Sequence, residues 1–247
     1  VADVVLDMFT LFGPVPPRPG EHGVEPLLAV LQKHGVAGAV TLSTRGLYYS
    51  ASAGNRETIH LCTQAGGALL PACVLDPRQP QVLQTITGAK MLCLLPATQK
   101  WPMLYAPLTD MLRAVAQSPD AANLPLWIEV SRPGDGTALA AELRETGYSG
   151  PVIMGSVIGE NLIEAIAVAR ADNRVFIATD GLRGIGEIAA AVGAIGASRV
   201  VFASGAPVQA LGAALAVVAA AEISDSDREA ILNGNARRLL SGRNATA

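Results

Sequence analysis

The chain has 247 residues, of which 50% are hydrophobic and 16% charged, and its mean hydropathy is +0.36. Such a composition buries a large core and excludes intrinsic disorder, and the 25 glycines follow no three-residue collagen period. A net charge of −3 with no run of Lys or Arg argues against a basic surface for nucleic acid or anionic membrane.

Apolar runs rich in β-branched residues fall at Val4–Met8, Val36–Leu42, Leu69–Leu75, Met91–Leu95, Leu124–Val130, Pro151–Met154, Arg174–Ala178 and Arg199–Ala203. Most are continuously apolar, the pattern of parallel strands buried on both faces. Helical patterns lie between them: Val24–His34, Asn55–Gly66, Pro80–Thr87, Leu104–Ala116, Thr137–Thr146, Asn161–Ala171, Ile185–Ile195 and Val208–Ala221. Gly35 and Gly147 stand as C-terminal stops. Eight strands alternating with eight helices predict an α/β fold, a (β/α)8 TIM barrel, as a single domain over residues 1–247. A doubly wound open sheet is the alternative, with edges to protect. Ser224–Leu240 predicts an extra C-terminal helix, opened by a capping-box-like Ser224/Asp227 pair.

Pro14–Pro19 and Gly46–Gly54 read as loops after the first and second strands. The uncharged run Val200–Ala221 is long enough to span a membrane, but Ser204-Gly-Ala-Pro207 breaks it, so strand, turn and buried helix fit better. Cys62, Cys73 and Cys93 are odd in number and lack C-x-x-C spacing, which predicts neither a disulfide framework nor a zinc site. Together with an N-terminus lacking a basic leader, they point to a cytoplasmic setting. Asn244-Ala-Thr246 reads as a chance sequon.

In a barrel, chemistry sits at the carboxyl ends of the strands. Asp7, Glu129 and Asp180 fall near the ends of strands one, five and seven, so these carboxylates are the candidate catalytic set; close carboxylates push one another's pKa apart and divide acid and base roles. The alternative is that each caps a loop or pairs with an arginine. Arg45, Arg78, Arg132 and Arg183, with Ser204, are the candidate ligands for an anion. Gly181-Leu-Arg-Gly-Ile-Gly186 after strand seven suits either phosphate binding through backbone N–H groups or a tight turn. No histidine lies at a strand end. His34 and His60 fall on helices, and His22 lies in the first long loop.

Asp7-Met-Phe-Thr-Leu-Phe-Gly13 resembles the first-strand signature of the amidohydrolase-related, metal-dependent hydrolases, a TIM-barrel family. Asn55, Leu75-Asp-Pro-Arg78 and Lys90–Pro96 with Trp101 are similar in kind. Gly196–Pro207 is similar to that family's last strand, and Arg228–Leu240 to its closing helix. The resemblance implies a metal-dependent hydrolase, but the ligand positions depart from it. Phe9 and Leu11 stand where the His-x-His pair belongs, Val152–Ser156 has no histidine, and Ser204-Gly205 replaces Ser-Asp. Metal ligation needs imidazole and carboxylate donors converging at about 2.0–2.2 Å, so no metal and no other cofactor is expected.

Two function classes follow. One is a non-hydrolytic member of the family, serving as a partner subunit or small-molecule-binding barrel. The other is an enzyme, hydrolase or lyase, with a repurposed metal-free site for a small anionic substrate. The uncharged faces of the last two barrel helices further predict a homo-oligomer, or pairing with a related subunit, with no nucleic-acid or membrane partner.

Overall fold

The computed structural model describes residues 4–16 and 22–242. The sequon at Asn244, the first three residues and part of the Pro14–Pro19 segment lie outside them. Eight parallel strands form one sheet in sequential order: β1 Val5–Phe12, β2 Val36–Ser43, β3 Leu69–Val74, β4 Met91–Leu94, β5 Leu126–Glu129, β6 Val152–Gly155, β7 Val175–Ala178 and β8 Val200–Val201. The seam between β8 and β1 is closed by backbone bonds: Met8 N–H to Phe202 O at 3.0 Å, Gly205 N–H to Phe9 O at 3.0 Å, and Leu11 N–H to Ala206 O at 2.7 Å. The result is a TIM barrel. Every residue of β4 through β8 is buried, as strands enclosed by helices require.

The outer helices are α1 Val24–Lys33, α3 Ala51–Gln64, α5 Ala106–Gln117, α6 Asp135–Thr146, α7 Leu162–Ala171, α8 Glu187–Ile195 and α9 Leu211–Ala220. After them come α10 Asp225–Glu229, a π-turn Ala230–Gly234 and α11 Asn235–Leu240, which together make the expected C-terminal helix. Ser224 caps α10, accepting from the Asp227 N–H at 3.1 Å.

Several boundaries differ from the sequence reading. β1 runs on to Phe12, so Phe9 and Leu11 belong to the strand. The Gly46–Gly54 stretch is helical: α2 spans Thr44–Tyr48 and α3 starts at Ala51. Ser43 and Ser50 cap these helices, and Asn55 is no cap; it is buried inside α3 and bonds both the N–H and the carbonyl of Val74. The third crossover is a 3-10 turn, Pro80–Thr85, in place of an α-helix. A further short helix, α4 Pro96–Gln99, sits on the end of β4. Helices α2 and α4 therefore both lie at the carboxyl rim, where they shape the mouth.

Candidate functional site

Three carboxylates line the barrel mouth, and each uses the same device. Asp7 on β1 accepts from the Ser204 N–H at 3.0 Å, the Phe9 N–H at 3.1 Å and the Ser204 hydroxyl. Glu129 on β5 accepts from the Thr98 N–H at 2.9 Å and its hydroxyl at 3.0 Å. Asp180, after β7, accepts from the Ser156 N–H at 2.9 and 3.0 Å and from its hydroxyl at 3.2 Å. In every case the acid grips a Ser or Thr that follows the neighbouring strand, although Asp7 is the third of eight residues in β1 and so lies well before the strand end where the sequence places it. Ser156 holds a left-handed backbone, φ +59°, which a non-glycine residue adopts only against strain.

The three acids are 1%, 9% and 3% exposed in the order Asp7, Glu129, Asp180. Burial pushes the Asp7 carboxyl up to about 7, against the pull of its three hydrogen bonds, and the Asp180 charge adds to the rise. Burial likewise pushes Asp180 up to about 6, opposed by Ser156 and reinforced by the charge of Glu129. Tyr48, half-exposed on α2, is also raised, first by burial and then by Glu129. Asp7, Asp180, Glu129 and Tyr48 thus share one electrostatic environment. Two carboxyls poised near neutrality can exchange protons with a bound molecule at physiological pH.

Two aromatic residues of the same strands, β1 and β5, meet face to face. The Phe9 and Trp127 rings stack with centroids 4.4 Å apart at an interplanar angle of 7°. Trp127 lies against Gly155, where a Cβ would come within 2.0 Å of the indole. Leu11 is 7% exposed. Phe9 and Leu11 bring no lone pair to this place, and the oxygens of Asp7 are already engaged by Ser204 and Phe9. Among the described residues no group of three His, Cys, Asp or Glu is arranged to hold a metal ion. The donor set here does not fit a divalent cation.

The candidate anion ligands are dispersed. Arg78 folds back on Asp76, Nε to Oδ1 and Nη2 to Oδ2, both at 2.9 Å. Arg45 lies over the Tyr49 ring, 5.4 Å from its centroid. Arg132 is exposed; its backbone N–H donates to the Asp135 carboxylate at 3.0 Å and its carbonyl accepts from the Asp135 N–H at 3.1 Å. Ser204 is committed to Asp7. The glycine loop after β7 is closed by the chain's own carboxylate: the Gly184 N–H donates to Glu187 at 2.7 Å. Arg183 borders a cavity of about 320 Å³, with Asp180 on its wall. His22 faces a separate small cavity beside Pro207.

Sequence reasoning did not assign Trp127 or Tyr48 to the site, and it did not pair Thr98 or Ser156 with the acids they hold. One signal was available: Trp127 stands two residues before Glu129, so on a strand both point to the same face.

The amidohydrolase family's sequence profile matches residues 154–242. No curated protein matches the chain. Among solved structures, an uncharacterised TIM-barrel protein from Bordetella bronchiseptica superposes with a TM-score of 0.77 at 16% identity, covering 97% of this chain and 99% of that one. A 2,6-dihydroxybenzoate decarboxylase from Rhizobium gives 0.71 at 15%, covering 97% and 98%. A Pseudomonas putida protein assigned as a 2-pyrone-4,6-dicarboxylic acid hydrolase gives 0.70 at 15%, covering 98% and 99%. The chain therefore has the fold of these barrels throughout and matches the amidohydrolase family over residues 154–242. At these identities the superpositions carry the fold, while the profile match runs from the end of β6 through the closing helix, one of the two ends whose residues resemble the family. Among the described residues no helix is long and apolar enough to cross a membrane.

Proposed function

We propose that this amidohydrolase-related barrel is an enzyme, a hydrolase or lyase, that moves protons to and from a small planar carboxylate without a metal ion. The observation that carries the reading is the pair of buried carboxyls, Asp7 at about 7 and Asp180 at about 6, facing one mouth. At neutral pH Asp180 is mostly ionised and serves as base, while Asp7 is about half protonated and serves as acid. In a hydrolysis Asp180 takes the proton of the attacking water; in a decarboxylation Asp7 gives its proton to the ring carbon that carbon dioxide leaves. The stacked Phe9–Trp127 pair suits a flat ring. The decarboxylase and hydrolase among the structural neighbours favour this reading over that of a non-hydrolytic partner subunit.

Chelator-treated protein is to be assayed with 2,6-dihydroxybenzoate, following carbon dioxide release, and with 2-pyrone-4,6-dicarboxylate, following ring opening. Wild type should turn over one of them. Asp7→Asn and Asp180→Asn should each lower kcat by about a hundredfold or more, within the usual range for a lost general acid or base. Turnover that needs an added divalent metal, or that survives both substitutions, overturns the proposal.

A further inference from the structure

Beside the mouth, the loop after β7 and helix α9 leave an open cavity of about 320 Å³. A second, of about 250 Å³, continues along the gap between α8 and α9 and shares Arg183 and Val217 with the first. The gap exists because α9 carries nothing larger than leucine; Ala213, Ala214 and Val217 make its side of the wall, and Leu182 faces them.

The wall carries four polar side chains, and two of them are already engaged. The Thr179 hydroxyl donates to Ala203 O at 3.2 Å and accepts from the Ala203 N–H at 3.1 Å. The carboxylate of Asp180 is held by Ser156. That leaves the guanidinium of Arg183 and the carboxamide of Gln209, neither of which has a partner among the described residues. An unpaired guanidinium presents a planar fork of donors that matches a carboxylate. The rest of the wall offers only hydrocarbon contact. A volume near 300 Å³, apolar walls and a few convergent polar groups describe a small-molecule site. The acid at its edge limits the charge: a dianion such as phosphate would set two negative charges beside Asp180, a monoanion only one.

We infer that this cavity binds a small apolar monocarboxylate, an aryl or short-chain alkyl acid, with its carboxylate on Arg183 and its hydrocarbon against Ala213 and Val217. Binding at this site does not depend on turnover at the mouth, although the two share Asp180. Its wall includes Asp180, so an occupant would sit next to the base of the proposed reaction.

Isothermal titration with benzoate, benzyl alcohol and inorganic phosphate tests this on the full chain. Arg183 and Ala213 are both exposed, so Arg183→Gln and Ala213→Trp should fold as wild type does, which thermal melts will check. Benzoate should bind wild type at one per chain in the millimolar range or tighter, and benzyl alcohol and phosphate more weakly. Arg183→Gln should weaken benzoate about tenfold or more, the cost of a lost charge-assisted hydrogen bond. Ala213→Trp should abolish binding by filling the cavity. No benzoate binding to wild type, or wild-type binding by either variant, overturns the inference. Loss of turnover with binding intact would overturn only the reading of the mouth.

Discussion

Ser156 does two jobs at one position. Its N–H and hydroxyl both stabilise the Asp180 anion, and its left-handed backbone brings them there. Removing the hydroxyl takes away a contact that favours the charged form, so Ser156→Ala should move the Asp180 pKa above its present value of about 6. A carboxyl-carbon NMR titration reads this directly; an Asp180 titration unchanged or shifted downward would mean the hydroxyl does not act on the carboxylate. The preceding residue, Gly155, is fixed by sterics. Its Cβ position lies 2.0 to 2.6 Å from three atoms of the Trp127 indole, itself fully buried. Gly155→Ala should therefore destabilise the fold by about 1–3 kcal/mol or more, as overpacking does, and loosen the Phe9 stack. Equal denaturant midpoints for the variant and wild type would contradict it. This pair also shows what the sequence could and could not tell. Glu129 and Asp180 were legible because strand ends are legible; Asp7 was placed at the end of a strand that runs five residues beyond it, to Phe12. The pairing of these acids with Thr98, Ser156 and Ser204 was not legible, since Ser204 lies 197 residues from Asp7 and only closure of the barrel brings the two together.

Among the elements, α2 and α3 were the least legible. Gly46 and Gly54 in a polar, tyrosine-bearing stretch read as loop signals, yet they are where two helices touch. A Cβ on Gly54 would fall 2.2 Å from the Gly46 nitrogen and 2.4 Å from its Cα. These are backbone atoms and cannot rotate aside. Glycine serves here for close approach, since neither residue has a positive φ. Gly54→Ala should push α2 off the rim, carrying Tyr48 away from Glu129, at a cost of about 1–3 kcal/mol or more. Gly35→Ala at the exposed end of α1 makes an instructive contrast: nothing lies within 4 Å of its Cβ position, and the strain there comes only from φ +69°. If urea melts show Gly54→Ala to be no less stable than wild type, the close crossing does not hold. The third crossover was misread for a related reason. Pro80–Thr85 contains apolar residues at helical spacing, but it makes only a 3-10 turn, with Thr85 bonding back to Val82 O at 2.7 Å. Local pattern gave the strands because they are continuous apolar runs; it did not tell a helix from a tighter turn over six residues.

For the whole molecule, the buried acids set a pH dependence of unusual sign. Asp7 rises from 3.8 to about 7 on folding, and Asp180 from 3.8 to about 6. Between those limits the native state holds protons that the unfolded chain has released, so stability falls as pH rises. The contribution of each group is complete below about pH 4 and is lost through its folded pKa. At about 1.4 kcal/mol per pKa unit, Asp7 alone accounts for roughly 4 kcal/mol across that window. Glu164 and Asp172 have depressed values, so their contributions are present above the ordinary carboxylate range and lost only in more acidic solution; they do not offset the trend between pH 5 and 8. Asn at position 7 keeps a carbonyl oxygen for the Phe9 and Ser204 N–H groups but carries no charge to bury. Urea unfolding of wild type and Asp7→Asn at pH 5, 6.5 and 8 should show wild type losing several kcal/mol more than the variant as pH rises. Parallel curves would mean that Asp7 is solvated in the folded barrel, and with that the acid role proposed for it would lose its physical basis.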